Sequence, residues 1–162
     1  MTFDAYQGSS AQKRLYLVNR LYGDNTVYNI SHAWIIEGHL DKDRLQGAIR
    51  ELIERHETLR TCFAMKDGNV LQKVYEELEF DLKYTDVPGA DVETLARDFV
   101  RPFDLGEAPL WRAELVQLGD KRQLFLFDIH HTVADGTSMG VLINDLMVYY
   151  SGGELDELEY QY

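Results

Sequence analysis

Apolar residues recur along this chain in two periods, near two and near 3.6, and the two patterns alternate, which restricts it to a mixed α/β (α+β) fold. Asp41 opens the clearest helix: Leu45, Ala48, Ile49, Leu52 and Ile53 form one stripe at i, i+3, i+4, i+7 and i+8. Tyr28 to Leu40 before it is rich in β-branched and aromatic residues, and Thr61 to Met65 after it is strand-like, so the three suggest a βαβ step. Upstream, Ser9-Ser10-Ala11-Gln12 has the spacing of a capping box. Ala11, Leu15, Val18 and Tyr22 then follow at helical spacing up to a stop at Gly23. The turn Asp67-Gly68-Asn69 predicts a hairpin into Val70–Tyr75. A further strand is expected over Phe80 to Tyr84, and a short helix capped by Asp91 carries Val92, Leu95, Ala96 and Phe99 on one face. Two strands, Leu110 to Leu118 and Gln123 to His131, meet at Gly119-Asp120. The last helix runs from about Thr137 to Tyr150 and stops at Gly152-Gly153, leaving the acidic stretch Glu154 to Glu159 expected in solvent. One sheet covered by helices on at least one face is the simplest architecture for this order.

Length and charge narrow the function classes. At 162 residues, 45% hydrophobic and with no low-complexity linker, the chain reads as one compact unit. A net charge of −12 argues against nucleic acid as a partner, because phosphate neutralisation needs clustered Lys and Arg, and equally against an anionic membrane surface. Cys62 is the only cysteine, so neither a disulfide framework nor a thiolate zinc site can form. No apolar run approaches the roughly 20 residues that span a bilayer. The start, Met1 to Tyr6, lacks the basic and apolar segments of a signal peptide, and the expected location is the cytoplasm.

Chemistry concentrates where the strand Gln123–His131 passes through Thr132-Val133-Ala134-Asp135-Gly136 into the last helix. Strand alternation sends Phe125, Phe127, Ile129 and His131 to one side and Leu124, Leu126, Asp128 and His130 to the other. His131 then finishes an apolar face, where burial would keep its imidazole neutral and able to accept a proton. Gly136 permits a turn that a Cβ would resist. Asp135 could cap the helix, orient a neighbour or pair with an arginine. The basic cluster Arg55 to Arg60 either caps a helix end or supplies that arginine. A single histidine at a strand end is more often a boundary residue than a catalyst, and residues four apart make a metal pair only on a helix, which Gly136 argues against here. Spacing alone leaves catalysis a minority reading.

Three segments in order change that balance. His130-His131-Thr132-Val133-Ala134-Asp135-Gly136 matches HHxxxDG, a motif shared by several acyltransferases. Ser10-Ala11-Gln12-Lys13-Arg14-Leu15-Tyr16 and Arg55-His56-Glu57-Thr58-Leu59-Arg60-Thr61-Cys62-Phe63 are similar to the first two core motifs of nonribosomal peptide synthetase condensation domains, and the whole resembles that family. Phe103-Asp104-Leu105 and Pro109-Leu110-Trp111-Arg112 resemble a further family segment. The resemblance implies a chloramphenicol-acetyltransferase-like fold of two lobes with the active site between them. Residues 1–162 match the N-terminal lobe, the C-terminal lobe is absent from this chain, and the lobe alone is expected to be inactive. The implied reaction joins a donor aminoacyl or peptidyl thioester to an acceptor aminoacyl thioester. Both ride on phosphopantetheine arms of donor and acceptor carrier proteins, with no tightly bound cofactor and no metal. The resemblance makes His131 catalytic and Asp135 structural through a pair with Arg60 in preference to Arg55, while strand alternation turns His130 away from His131 and leaves it without a catalytic role. Gly136 would shape the loop. Thr137-Ser138-Met139 differs from the Ser-Trp common in epimerization domains, and the histidines are not replaced by Asp as in heterocyclization domains, which favours an ordinary condensation domain. Two other classes stay open: a carrier-docking or catalytically silent scaffold, and another HHxxxDG acyltransferase using free acyl-coenzyme A, against which the first two motifs argue.

Overall fold

The computed structural model describes residues 2–23, 25–158 and 160–161. The elements in chain order are β1 (Phe3–Gln7), α1 (Ser10–Tyr22), β2 (Asn29–Glu37), α2 (Lys42–Arg55), a 3-10 turn (Glu57–Arg60), β3 (Thr61–Lys66), β4 (Asn69–Tyr75), β5 (Lys83–Asp86), α3 (Val92–Phe99), β6 (Trp111–Gly119), β7 (Arg122–His130) and α4 (Gly136–Tyr150). They build two sheets, not one: β1-β4-β3, and β2-β7-β6-β5. The mixed α/β class stands, but the βαβ step does not, because β2 and β3 lie in different sheets and α2 carries the chain between them. The only parallel pair among the described strands is β5 with β6.

Local chemistry accounts for most boundaries. Ser9 and Gln12 close the capping box that starts α1, and Asp41 and Asp91 cap α2 and α3 through their side chains. Asp67 and Gly68 both take positive φ (51° and 77°), the geometry a two-residue hairpin turn requires between β3 and β4. The apolar stripe of α2 is wholly buried. On α1 the inner face is Gln12, Leu15 and Tyr16, whereas Ala11 and Tyr22 are exposed. A glutamine takes the inner position there because its amide finds partners.

Both faces of β7 are covered. Phe125, Phe127 and Ile129 join the main core with α2 and α4, while Leu124 and Leu126 pack with Val116, Leu118 and Phe99 in a second cluster beside α3. Each such side chain contributes roughly 1.5–3 kcal/mol by burial, so β7 is anchored on two sides along its length. The acidic stretch is in solvent as expected at Glu154, Asp156 and Glu157, and backbone and side-chain bonds from Asp156 and the following Gln161 also tie this tail to the end of α2. Asp156 O accepts from Arg55 Nη1 at 2.6 Å, and Gln161 Nε2 donates to Arg55 O at 2.9 Å. Glu159 lies outside the described residues.

Candidate active site

β7 ends at His130, and the chain leaves the sheet at the next residue. Backbone N–H groups pin both histidines: His130 N to Leu110 O at 2.9 Å and His131 N to Tyr28 O at 2.8 Å. Their side chains meet opposite surroundings. His130 is 1% exposed, with Tyr28 and Phe103 rings beside it. Its Nδ1 accepts from Thr132 N at 3.2 Å and from the Thr132 hydroxyl at 2.9 Å. Burial, and secondarily the neighbouring His131, push the His130 pKa down to about 4, so it is neutral at pH 7. His131 is exposed. This corrects the expectation that His131 closes a buried face: alternation extends only as far as strand pairing, and pairing stops at His130.

His131 lies at a surface cavity of about 540 Å³, lined also by Arg14 of α1, His56, Thr58 and Ser138. Two consecutive carbonyls behind the histidine are gripped by side chains. Thr132 O accepts from Gln12 Nε2 at 3.3 Å, and Val133 O accepts from Thr58 Oγ1. All three sequence motifs therefore converge on one loop.

Asp135 does not pair with an arginine. It caps α4, accepting from Ser138 N at 2.7 Å and Ser138 Oγ at 2.8 Å, and these bonds hold its carboxyl below the usual aspartate range. Arg60 is spent on backbone carbonyls, donating to Ile53 O at 2.9 Å and Tyr75 O at 2.5 Å. Helix-end carbonyls lack intrahelical partners, and a guanidinium emerging one turn later satisfies them. Gly136 begins α4 without a positive φ, and a Cβ built there meets nothing within 4 Å, so the loop does not depend on its missing side chain.

The motif's remaining cation goes elsewhere. Arg55 Nε and His56 Nε2 both donate to Asp145 Oδ2, at 3.0 and 2.8 Å, in a site where all three side chains are largely buried. Burial lowers the His56 pKa against the pull of Asp145. Asp145 escaped the sequence reading, although an acid between Leu142 and Leu146 on the inner face of α4 was a signal. A second buried pair, Arg112 Nη1 to Asp128 Oδ2 at 3.2 Å, lies two residues before His130 on β7. Burial raises the Asp128 carboxyl and brings Arg112 down to about 10, while Ser31 and Asn29 donate to the carboxylate at 2.7 and 2.9 Å. Among the described residues, no group of three His, Cys, Asp or Glu side chains gathers as a metal site would need.

Comparison with known proteins bears on the family and the fold. Surfactin synthase subunit 2 of Bacillus subtilis (strain 168) is 47% identical over 151 residues, which is 93% of this chain and 4% of that protein. Tyrocidine synthase 3 of Brevibacillus parabrevis is 46% identical over 157 residues, 97% of this chain and 2% of that one. The chain thus spans a few hundredths of the length of these relatives. Among solved structures, the first condensation domain of the CDA synthetase superposes with a TM-score of 0.81 at 25% identity, covering 97% of this chain and 43% of that chain. The X-domain in complex with OxyB from teicoplanin biosynthesis gives 0.85 at 28% identity, covering 99% and 37%. The fold is accordingly chloramphenicol-acetyltransferase-like. Residues 3–162 match the model of the Condensation domain, and the chain belongs to the condensation domain family.

Proposed function

We propose that residues 1–162 form the N-terminal lobe of a nonribosomal peptide synthetase condensation domain, and that His131 works at its reaction centre. The observation that carries this reading is the placement of His131: exposed at a cavity, with its own amide and the two carbonyls behind it held by Tyr28, just before β2, by α1 and by the 3-10 turn. A main chain held this way fixes the point from which the imidazole projects, so the ring meets a substrate atom within a limited region of the cavity.

The reaction is amine attack on a thioester. The α-amine nitrogen of the acceptor bonds to the donor carbonyl carbon, the C–S bond breaks, and the sulfur leaves with the proton that the amine gives up. A free α-amine titrates at about 7.7–8.0, so a useful neutral fraction exists at pH 7. His131 therefore orients the amine by a hydrogen bond and relays its proton late, as the tetrahedral intermediate collapses. Donor and acceptor carrier proteins present the thioesters on phosphopantetheine arms, in the cytoplasm. The cavity is open on one side, and a thioester exposed to water hydrolyses. A C-terminal lobe closing over His131 supplies the missing wall, and the first lobe alone is inactive.

The substrate class is tested by offering the complete two-lobe domain the same acyl donor on a carrier protein and on coenzyme A. The reading expects product from the carrier-bound donor and little from the coenzyme. Efficient turnover of the free acyl-coenzyme A, with none of the carrier-bound donor, would move the chain to another acyltransferase class.

A further inference from the structure

Gln12 is 3% exposed, and every hydrogen-bonding atom of its amide has a partner. Its Oε1 accepts from Ser9 N at 2.8 Å, completing the capping box of α1. Its Nε2 donates to Gln72 Oε1 and to Thr132 O, both at 3.3 Å. Glutamate serves a capping box as well as glutamine, because only an acceptor oxygen is needed. A carboxylate has no proton for Thr132 O. The amide nitrogen of Gln12 therefore serves Gln72 of β4 and the loop behind His131, and not the helix it caps. The next carbonyl, Val133 O, is held independently by the Thr58 hydroxyl, which reaches it across 75 residues of sequence.

We propose that Gln12 and Thr58 are positioning residues, a two-point grip on the Thr132 and Val133 carbonyls that sets where His131 stands in its cavity. The two donors come from separate elements, α1 and the 3-10 turn, and each holds one of two successive peptide units after His131. The catalytic part of this inference rests on the role proposed above for His131; the geometric part does not.

The test uses the complete two-lobe domain with Thr58→Val, Thr58→Ser and Gln12→Glu. Valine keeps the shape of Thr58 and removes the donor, serine keeps the donor, and glutamate keeps the helix cap while removing the donor to Thr132 O and to Gln72 Oε1. With a small displacement of a catalytic group costing up to about a hundredfold, Thr58→Val is expected to lower kcat about tenfold with KM changed less than about twofold. Thr58→Ser is expected to restore kcat. The His131 ring resonance, assigned by its loss in His131→Ala, is expected to move in Thr58→Val and Gln12→Glu and to return in Thr58→Ser. A buried carboxylate at residue 12 costs folding stability, so Thr58→Val and Thr58→Ser carry the test alone if Gln12→Glu does not fold. An unmoved ring resonance with wild-type kcat in Thr58→Val overturns the grip. So does a loss of kcat that serine fails to restore. A ring that moves while His131→Ala keeps full turnover upholds the geometry and instead overturns the catalytic reading of His131.

Discussion

Two adjacent histidines show how far one peptide unit can separate chemical environments. His130 is buried and neutral, and His131 faces a cavity. The native pKa of His130, about 4, lies below its unfolded value near 6.5. Its contribution to stability is therefore complete above pH 6.5 and is lost as pH falls toward 4, because only the unfolded chain then binds the proton. At about 1.4 kcal/mol per pH unit, the loss amounts to roughly 3 kcal/mol. His56, also lowered by burial, acts in the same direction. Denaturant melts at pH 7 and pH 5 should show this slope, and His130→Asn should reduce it; an unchanged slope would assign the acid sensitivity to other groups. Asp145 gives a second residue-scale prediction. Asp145→Ala strands a mostly buried Arg55 and should cost about 3–5 kcal/mol in a denaturant melt. A loss below 1 kcal/mol would mean that the guanidinium finds water without it. None of this was legible as geometry. The motif names Arg55, Arg60 and Asp135, but an arginine's destination depends on which carbonyls and carboxylates the fold leaves open, and a string of residue types does not contain that.

Elements were more readable where one local rule decided them. The helices α1, α2 and α3 start at the expected caps, and the stripe of α2 is buried residue for residue. The β3–β4 turn follows from Asp67-Gly68. β1 was missed because all five of its residues are exposed and it has no apolar face to announce it; only pairing with β4 makes it a strand. β5 begins at Lys83, three residues later than Phe80, because Phe80 leaves the strand to pack against the Trp111 ring at 4.4 Å. Asp135 acts at this scale too. As a helix cap its removal in Asp135→Ala should cost about 1 kcal/mol, while Asp135→Asn, itself a good cap, should keep most of the stability. Equal losses in the two variants would point to a charge partner in place of the cap.

At the scale of the whole molecule, the sheet β2-β7-β6-β5 aims the end of its central strand β7 at a cavity, and the three motifs, far apart in sequence, meet behind His131. Sequence order alone suggested a single sheet, since nothing local distinguishes a helix that returns to its own sheet from one that crosses to another. The resemblance offers candidate residues from three segments, whereas how their side chains and carbonyls are wired together required coordinates. His131 is exposed, so His131→Ala should leave stability within about 0.5 kcal/mol of wild type. The most direct measurement is the intact mass of an acceptor-loaded carrier protein after reaction with a loaded donor carrier and the complete two-lobe domain. The account predicts a mass gain equal to the donor acyl group with wild type and no gain with a folded His131→Ala. Equal gains with both would contradict the place of His131 at the reaction centre.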